Sequence, residues 1–396
     1  MAQAIPTHEP KPVELDGAEI LARARALAPE IRAAADRVEA ERRIPDDLLA
    51  RLIEAGVFRI AMPRAWGGPE MDPLAQIELV EELARADASV AWVVMITSDS
   101  GFYSAWLDDG VARALYPSLD ARTAGLLFPA GQAHVVKGGL RVSGQWVFGS
   151  GSLHADWLVG GCLLFEDGKP RIGARGLPEW RIAYLPPSEV EILDTWRTTG
   201  LAGSGSHDYR AKDVFVPEER SFDVLSPPRR SGPLYGYHGL FFANLPGVPL
   251  GLARAALDEV TRLANEKRVP PLMTLLRDEY RVQEAVAEAE GILQSARAFV
   301  FDVMGDVWRT LSAGDPLSRA QRARVGLMMV HSVRVSRQVV QLMYDTAGSA
   351  AIYRRNPLDR QLRDMLTVAA HVVGQRKAYA MAGQVMLGLE PPFTYF

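Results

Sequence analysis

The sequence predicts an α+β protein in which a helical segment, a β segment and a second helical segment follow one another. Apolar residues recur at helical spacing from Ala18, short strand-like runs replace them near Thr123, and long helical patterns return from about Gly247. We expect four regions, which are a flexible arm at 1–15, a helical domain at 16–122, a β domain at 123–228 and a C-terminal four-helix bundle at 229–396.

Composition and charge exclude several classes of protein. A chain of 396 residues with 48% hydrophobic and 23% charged residues has the composition of a globular protein and can form two or three domains. The net charge of −4 and the pI of about 6.0 do not favour binding to nucleic acid or to an anionic membrane. We therefore expect no nucleic-acid partner and no membrane partner.

The chain also lacks the usual signals for export. No run reaches 18 uninterrupted apolar residues, and the first 15 residues have neither the basic region nor the apolar region of a signal peptide. Cys162 is the single cysteine, which excludes an internal disulfide and fits a reducing compartment. The sequence therefore predicts a cytoplasmic protein.

The helical domain is predicted from apolar spacing and from helix-capping residues. Apolar residues recur every three or four positions from Ile20 to Val38. A second helix is expected between Pro45 and Gly56, and Asp72-Pro73 supplies the N-cap and first position of a third. The run from Ser89 to Leu107 is apolar enough for a buried helix.

The β domain contains the stretch around which we organise the functional prediction. A strand-like run from Leu140 to Phe148 is followed by a turn of Gly and Ser at 149–152, and then by His154 and Trp157. Small residues that let the backbone approach closely, next to aromatic walls, suit a flat ligand. A β-hairpin with a polar loop explains the stretch equally well.

The bundle is predicted from four long amphipathic patterns. These begin near Gly247, at Leu272, after Asp315-Pro316 and at Pro357, and the last is expected to continue to about Leu387. Alternating Arg and Glu residues on these helices are most simply a solvated face.

Several segments, in the same order, resemble signatures of the acyl-CoA dehydrogenase fold. They are MPRAWGGPEMD, the 144–157 stretch GQWVFGSGSLHADW, the 195–220 stretch ending in VFVPEER, the segment Tyr344–Ser349, and Arg363-Asp364. The likeness extends over about residues 18–388 and implies this fold, with a barrel-like middle domain and a bound flavin.

The same fold serves acyl-CoA dehydrogenases and flavin-dependent monooxygenases, so single residues must distinguish the two reactions. In the common dehydrogenase pattern a catalytic Glu lies eight residues after the Arg-Asp pair, where this chain has Val372. The alternative base position on the first bundle helix falls in LFFANLPGVPLG, which has no carboxylate. The sequence therefore argues against acyl-CoA oxidation by a carboxylate base.

The chain resembles instead the two-component monooxygenases of this fold, which include aromatic hydroxylases and dibenzothiophene monooxygenase. Their Trp-x-Phe-x-Ser-Gly-x-x-His pattern is matched from Trp146 to His154, and their His near the end of the chain is matched by His371. The resemblance implies an oxygenase component that uses reduced flavin (FMNH2 or FADH2) and O2 through a C4a-hydroperoxyflavin. It oxygenates a small aromatic or heteroatom-containing substrate.

The resemblance also implies roles for single residues. We expect His371 to handle a proton and Ser150 to act near flavin N5, while a core histidine and a turn hydroxyl remain the alternatives. His154 is expected to be structural, and Arg268 to meet the cofactor phosphate or to be a surface arginine. The expected cofactor-binding residues are Trp146, Phe148, Ser150, Gly151, Ser206 and Arg268.

The expected substrate pocket departs from that of the phenol hydroxylases in this group. Where those enzymes carry a His that holds the phenolate, this chain has Ser100, with Asp99 beside it. The substrate is therefore expected to carry sulfur or nitrogen, or to be an aromatic compound held differently. The expected pocket residues are Trp92, Ser100, Phe241 and Phe242, with core packing as the alternative for each.

The resemblance further implies partners. The chain has no GxGxxG motif after a strand, which agrees with a separate NAD(P)H:flavin reductase. A homotetramer is expected, and the apolar last helix and the PPFTYF tail are compatible with one. No Cys/His cluster has metal-ligand spacing. Two other interpretations remain, an FAD-dependent dehydrogenase of an unusual acyl substrate and a catalytically idle scaffold.

Overall fold

The computed structural model describes residues 15–173 and 176–390. The expected arm at 1–15, except for Leu15, and the PPFTYF tail lie outside the described residues. The N-terminal region contains the helices α1 (Gly17–Glu41), α2 (Asp46–Ala55), α3 (Pro73–Ala86), α4 (Ala88–Thr97), α5 (Ser100–Tyr103) and α6 (Asp109–Leu115).

The predicted helix starts and stops are confirmed by hydrogen bonds. The Asp72 carboxylate accepts from the Ala75 N–H at 2.9 Å and caps α3, with Pro73 in the first turn. Gly56 ends α2 with a φ of 80°, a value that favours glycine. Between α4 and α5, Ser98 and Asp99 keep right-handed helical dihedral angles, so the helical path continues from Ala88 to Tyr103.

The middle region forms one mixed sheet. Its strands are β1 (Thr123–Val136), β2 (Gly139–Gly149), β3 (Trp157–Glu166), β4 (Lys169–Pro170), β5 (Trp180–Leu185), β6 (Val190–Leu193), β7 (His207–Pro217) and β8 (Ser221–Phe222). The order is β6-β7-β2-β1-β3-β5-β8, and β4 pairs with β3. β1 and β3 are parallel, whereas the other pairs are antiparallel. The strand order has two ends, β6 and β8, so in the described part of the chain the sheet does not close into the expected barrel.

The sheet has a core of its own, centred on Trp146. The indole is fully buried, stacks on Tyr209 at 5.3 Å, and donates a hydrogen bond to the Gly161 carbonyl at 2.9 Å. A Cβ atom on Gly144 or Gly160 would lie within 2.8 Å of the ring. The neighbouring glycines therefore make the space that this large side chain fills.

The C-terminal region is the expected helical bundle. It contains α7 (Gly247–Glu266), the hairpin β9 (Arg268–Val269) and β10 (Thr274–Leu275), and then α8 (Tyr280–Ser312), α9 (Arg319–Ala347), α10 (Pro357–Ala370) and α11 (Lys377–Met386). α9 packs against α7, α8, α10 and α11 and is the central helix.

Two of the predicted bundle helices have different bounds. The second was expected to begin at Leu272, but the β9–β10 hairpin occupies residues 268–275 and α8 begins at Tyr280. The fourth was expected to run unbroken to about Leu387, but His371 has an extended backbone with ψ 151° and separates α10 from α11. The apolar residues keep a helical spacing near the hairpin and through His371, but the backbone hydrogen bonds of the helix stop at these positions.

One helix in the described chain is long and apolar enough to cross a membrane by length and composition. It covers His238–Glu266 with a mean hydropathy of 1.3, and 89% of the window is buried inside the protein. This burial is typical of the core helix of a folded domain.

The three regions are joined by two close contacts. The turn after β2 places Gly151, with a φ of 72°, against α4, where a Cβ atom would lie 2.7 Å from Thr97 Cγ2. The Asp364 carboxylate on α10 accepts from the Leu201 N–H at 2.6 Å, which ties the bundle to the loop before β7. Both contacts leave little room for substitution.

We expect the Gly151→Ala variant to be less stable than the matched control Gly168→Ala. Both glycines have a similar positive φ, but a Cβ atom on Gly168 meets nothing within 4 Å. The extra steric contact should cost about 1–3 kcal/mol of unfolding free energy beyond the shared backbone cost. Denaturant unfolding of both variants measures this, and equal losses would show that α4 does not press on the turn.

Asp364 should make stability depend on pH. Burial, first of all, raises the pKa of this carboxyl from 3.8 to about 7 in the folded protein. The folded state therefore binds the proton more tightly, so this group's contribution to stability falls as pH rises from about 4 to 7. In Asp364→Asn that slope should disappear, with a change of at most about 4 kcal/mol over the interval. Unfolding curves that stay parallel for the variant and the wild type would contradict this.

Candidate active site

A tryptophan on α4 connects the helical domain to the turn after β2. Trp92 is 6% exposed, and its indole Nε1 donates a hydrogen bond to Ser150 Oγ at 3.0 Å. Asp87 caps the helix that carries it by accepting from the Val90 N–H, which fixes where that helix begins. The structure therefore brings together Ser150 and Trp92, two residues that the sequence proposed for different roles.

Three buried serines continue from this contact as a chain of hydrogen bonds. Ser150 Oγ lies 2.7 Å from Ser206 Oγ, and Ser206 Oγ lies 2.7 Å from Ser204 Oγ. Ser204 Oγ in turn donates to the Leu201 carbonyl at 2.7 Å. All three side chains are at most 6% exposed.

The last contact fixes the direction of the whole chain. Each hydroxyl has one hydrogen and two lone pairs. Because Ser204 gives its hydrogen to Leu201, Ser206 must donate to Ser204, and Ser150 must donate to Ser206. Ser150 also accepts from Trp92, so it retains one lone pair and no hydrogen. Ser150 is therefore set to accept a hydrogen bond from a ligand.

His371 lies on the other side of Trp92. The two rings meet edge to face with centroids 5.3 Å apart, and the Phe242 ring lies 6.1 Å from the imidazole. Burial lowers the pKa of His371 to about 4, and its buried Nδ1 has no hydrogen-bond partner. The imidazole is therefore neutral at pH 7 and keeps a nitrogen that can bind a proton or a ligand.

The other expected pocket residues divide between two neighbouring clusters. Phe241 packs with Phe102 at 4.3 Å and with Tyr103 at 5.0 Å. Ser100 Oγ lies 2.9 Å from Thr123 Oγ1 and belongs to a network of hydroxyl groups. Phe242 and Trp92 thus lie beside His371, whereas Ser100 belongs to α5 and Phe241 packs against α5.

Two of the residues expected to bind the cofactor make contacts within the protein instead. Trp146 is completely buried in the core of the sheet, so its side chain offers no surface to a cofactor. Gly151 was expected to offer its backbone, but its N–H donates to the Ser204 carbonyl at 2.9 Å. Its positive φ and its contact with Thr97 explain why glycine is needed there.

Two more of the expected cofactor-binding residues are exposed to solvent. Phe148 is 61% exposed with a φ of 60°, and it meets Trp196 edge to face at 6.2 Å. A positive φ is unusual for phenylalanine and is consistent with a constrained ligand-facing position. Arg268 lies on the β9–β10 hairpin, where its guanidinium donates to the Met273 carbonyl at 2.8 Å. Among the described residues, no hydrogen bond or ion pair joins Arg268 to the serine chain.

His154 is structural in its contacts, as expected. Its Nε2 accepts from the Ile44 N–H at 3.2 Å, and burial lowers its pKa to about 4. The sequence analysis did not single out Ser204, which fixes the direction of the serine chain. The repeated serines of LAGSGS, spaced two apart, are the signal that could have found it.

Comparison with known proteins identifies the family. The acyl-CoA dehydrogenase N-terminal domain model matches residues 17–108, and the C-terminal domain model matches residues 245–376. The indole-3-acetate monooxygenase of Pseudomonas putida is 34% identical over 91% of this chain and 91% of its own. The FADH2-dependent resorcinol hydroxylase oxygenase component of a Rhizobium species is 30% identical, covering 98% of this chain and 99% of its own.

The chain belongs to the oxygenase components of the flavin-dependent monooxygenases with the acyl-CoA dehydrogenase fold. The crystal structure of the HsaA monooxygenase from Mycobacterium tuberculosis superposes with a TM-score of 0.87 at 27% identity, covering 96% of this chain and 100% of that one. The predicted fold and the predicted enzyme class are therefore confirmed, and the dehydrogenase and scaffold interpretations are not supported.

The residues of this flavin-dependent monooxygenase fit a flavin. Ser150 has a free lone pair, and the buried Ser152 Oγ and His371 Nδ1 have no partner within the described part of the protein. The exposed Phe148 and the half-buried Trp196 present apolar ring faces. Unpaired polar atoms beside apolar rings are what a flat heteroaromatic ligand requires. Within the described ranges, no group of three or more His, Cys, Asp or Glu residues could hold a metal ion.

We expect Trp92→Phe to weaken flavin binding more than Trp106→Phe does. Trp106 is the matched control, because its side chain is also buried and its Nε1 makes one hydrogen bond, to the Ser226 carbonyl at 2.8 Å. Each variant should lose about 1–2 kcal/mol of unfolding free energy. In Trp92→Phe alone, Ser150 loses its donor, and reduced-flavin affinity should fall about 5- to 10-fold in an anaerobic titration. Equal affinities for the two variants would contradict this role.

Proposed function

We propose that Ser150 and His371, on either side of Trp92, are the catalytic residues of this oxygenase. The observation that carries the proposal is the pair of contacts made by Trp92, its hydrogen bond to Ser150 and its edge contact with His371. The enzyme would use reduced flavin and O2 to place one oxygen atom on a small aromatic or heteroatom-containing substrate. When bound, reduced flavin supplies the two electrons that activate O2.

Ser150 would bind the reduced cofactor through its free lone pair. Reduced flavin has an N–H at N5 that can donate, whereas N5 of oxidised flavin has only a lone pair. A Ser150 that must accept therefore favours the reduced form, because two facing lone pairs repel. Ser206 and Ser204 support this role by holding the Ser150 hydrogen on the side away from the ligand.

His371 would take up a proton from the substrate. The neutral imidazole can accept a proton, and its low pKa means that it returns the proton readily. The surrounding rings of Trp92 and Phe242 exclude water, which protects reactive oxygen species from wasteful decay. This environment suits oxygen transfer to an apolar ring.

The proposed substrate class and partners are based on the family. The two relatives above are named for indole-3-acetate and resorcinol, so we propose an aromatic substrate for this chain. A separate NAD(P)H:flavin reductase would deliver the reduced cofactor as FADH2 or FMNH2. The apolar α11 and the composition support a cytoplasmic homotetramer that binds neither nucleic acid nor membrane.

The proposal is tested by a flavin titration followed by single turnover. Anaerobic titration with FADH2 and FMNH2 should give affinities at least ten-fold tighter than those for the oxidised forms. With O2 and a panel of aromatic compounds, His371→Gln should lose at least about 100-fold in product formed. His134→Gln is the control, since His134 is exposed on β1 and contacts Phe165. Preference for oxidised flavin, or an unimpaired His371→Gln enzyme, would refute the assignment.

A further inference from the structure

Asp99 is a buried carboxylate for which the fold supplies no partner. It is 8% exposed, and it makes no side-chain cap on α5. Across residues 15–173 and 176–390, no side chain or backbone group donates a hydrogen bond to its carboxylate, and no cation pairs with it. An unpaired buried carboxylate is costly, so its presence requires an explanation other than stability.

Several hydroxyl groups near Asp99 bond to one another rather than to its carboxylate. Tyr116 OH lies 3.0 Å from Thr123 Oγ1 and 2.6 Å from Tyr184 OH, and Ser100 Oγ contacts the same threonine. The Asp99 charge helps to raise the pKa of Tyr103 and of Tyr116, which places the carboxylate near both rings. Burial raises the pKa of Asp99 itself well above its usual range, in agreement with a dry environment.

Helix geometry places Asp99 on the same face as Trp92. α4 ends at Thr97 and α5 begins at Ser100, but Ser98 and Asp99 between them keep right-handed dihedral angles. Along this stretch Trp92, Ile96, Asp99 and Tyr103 follow one another at spacings of four, three and four residues. Seven residues at 1.5 Å each separate the backbones of Trp92 and Asp99 by about 10 Å. One face of this helical path therefore carries an indole at one end and a carboxylate at the other.

The opposite side of this face is formed by two adjacent phenylalanines. Phe242 lies 6.1 Å from His371, and Phe241 lies 5.0 Å from Tyr103. The phenylalanine pair therefore connects the His371 ring to the Tyr103 ring, four residues beyond Asp99. A bicyclic aromatic molecule between them would have one edge at His371 and the other directed to the carboxylate.

We infer that Asp99 is a specificity-determining residue that accepts a hydrogen bond from an N–H group of the substrate, which is a fused nitrogen heteroaromatic compound. The inference rests on the proposed function, because it assigns the substrate class of the same site. Both oxygens of a carboxylate accept hydrogen bonds, and the surrounding apolar rings strengthen such a bond. An N–H donor would stabilise the ionised form of Asp99, whereas an anionic phenolate would be repelled by that form, so the residue favours N–H compounds over phenolates.

The test compares indole with 1-methylindole, which has the same ring system without the N–H. Calorimetric binding to the full-length enzyme with reduced flavin should show indole binding about 10- to 100-fold more tightly. In Asp99→Leu the preference should fall to about two-fold or less, whereas Asp99→Asn, which keeps one acceptor oxygen, should retain a several-fold preference. The exposed α8 residue Asp302→Leu controls for the loss of one negative charge.

Stability separates a binding role from a structural one. Asp99→Leu removes an unpaired buried carboxylate, so its melting temperature should be equal to or higher than that of the wild type. A carboxylate that holds the fold together would instead lower it. Reduced-flavin affinity should remain unchanged in both Asp99 variants, because Ser150 and Trp92 are untouched.

Several outcomes would overturn the inference. They are equal affinity of the wild type for indole and 1-methylindole, no measurable indole binding, and an indole preference that survives in Asp99→Leu. These failures are distinct from failure of the proposed function, which is judged by the preference for reduced flavin and by the His371 variant. If the enzyme prefers reduced flavin but binds indole and 1-methylindole equally well, the proposed function stands and the role inferred for Asp99 is refuted.

Discussion

The hydrogen bond from Trp92 to Ser150 is the contact on which the arrangement of the site depends. It joins a helix of the N-terminal domain to the turn after β2, and the same indole ring meets His371 from the bundle. Three regions separated in sequence therefore converge on one side chain. A large aromatic residue suits this position because it combines one polar N–H with wide apolar faces.

Burial determines the protonation state and the hydrogen bonding of the polar groups in the site. His371 is neutral because burial disfavours its charged form, and the serine chain has a fixed direction because Ser204 donates its hydrogen to the Leu201 carbonyl. Asp99 is desolvated in the same way but has no hydrogen-bond or ion-pair partner among residues 15–173 and 176–390. The site thus contains an acceptor at Ser150, a neutral base at His371 and an unpaired carboxylate, each of which a ligand can satisfy.

The sequence predicted the fold well because hydrophobic periodicity and capping are local signals. Asp72, Pro73 and Gly56 mark the bounds of α2 and α3 where predicted, since each acts through its own backbone. The break at His371 was missed, because helical spacing continues through it although its backbone is extended. Trp146 was expected to bind the cofactor, but its side chain is buried in the core of the sheet. A strand pattern does not tell which side of a strand faces the core and which faces a ligand.

The order of elements, the absence of a carboxylate at position 372 and the likeness to flavin-dependent monooxygenases could all be determined from the sequence. These features depend on residue identity and on spacing along the chain. Only the tertiary structure decided that Trp92, Ser150 and His371 meet, that Ser204 orients the serine chain, and that Asp99 has no partner in the part of the chain that the structure describes. Those facts depend on how distant segments pack. Hydrogen-bond direction and desolvation are set by residues that are close in space but far apart in the sequence.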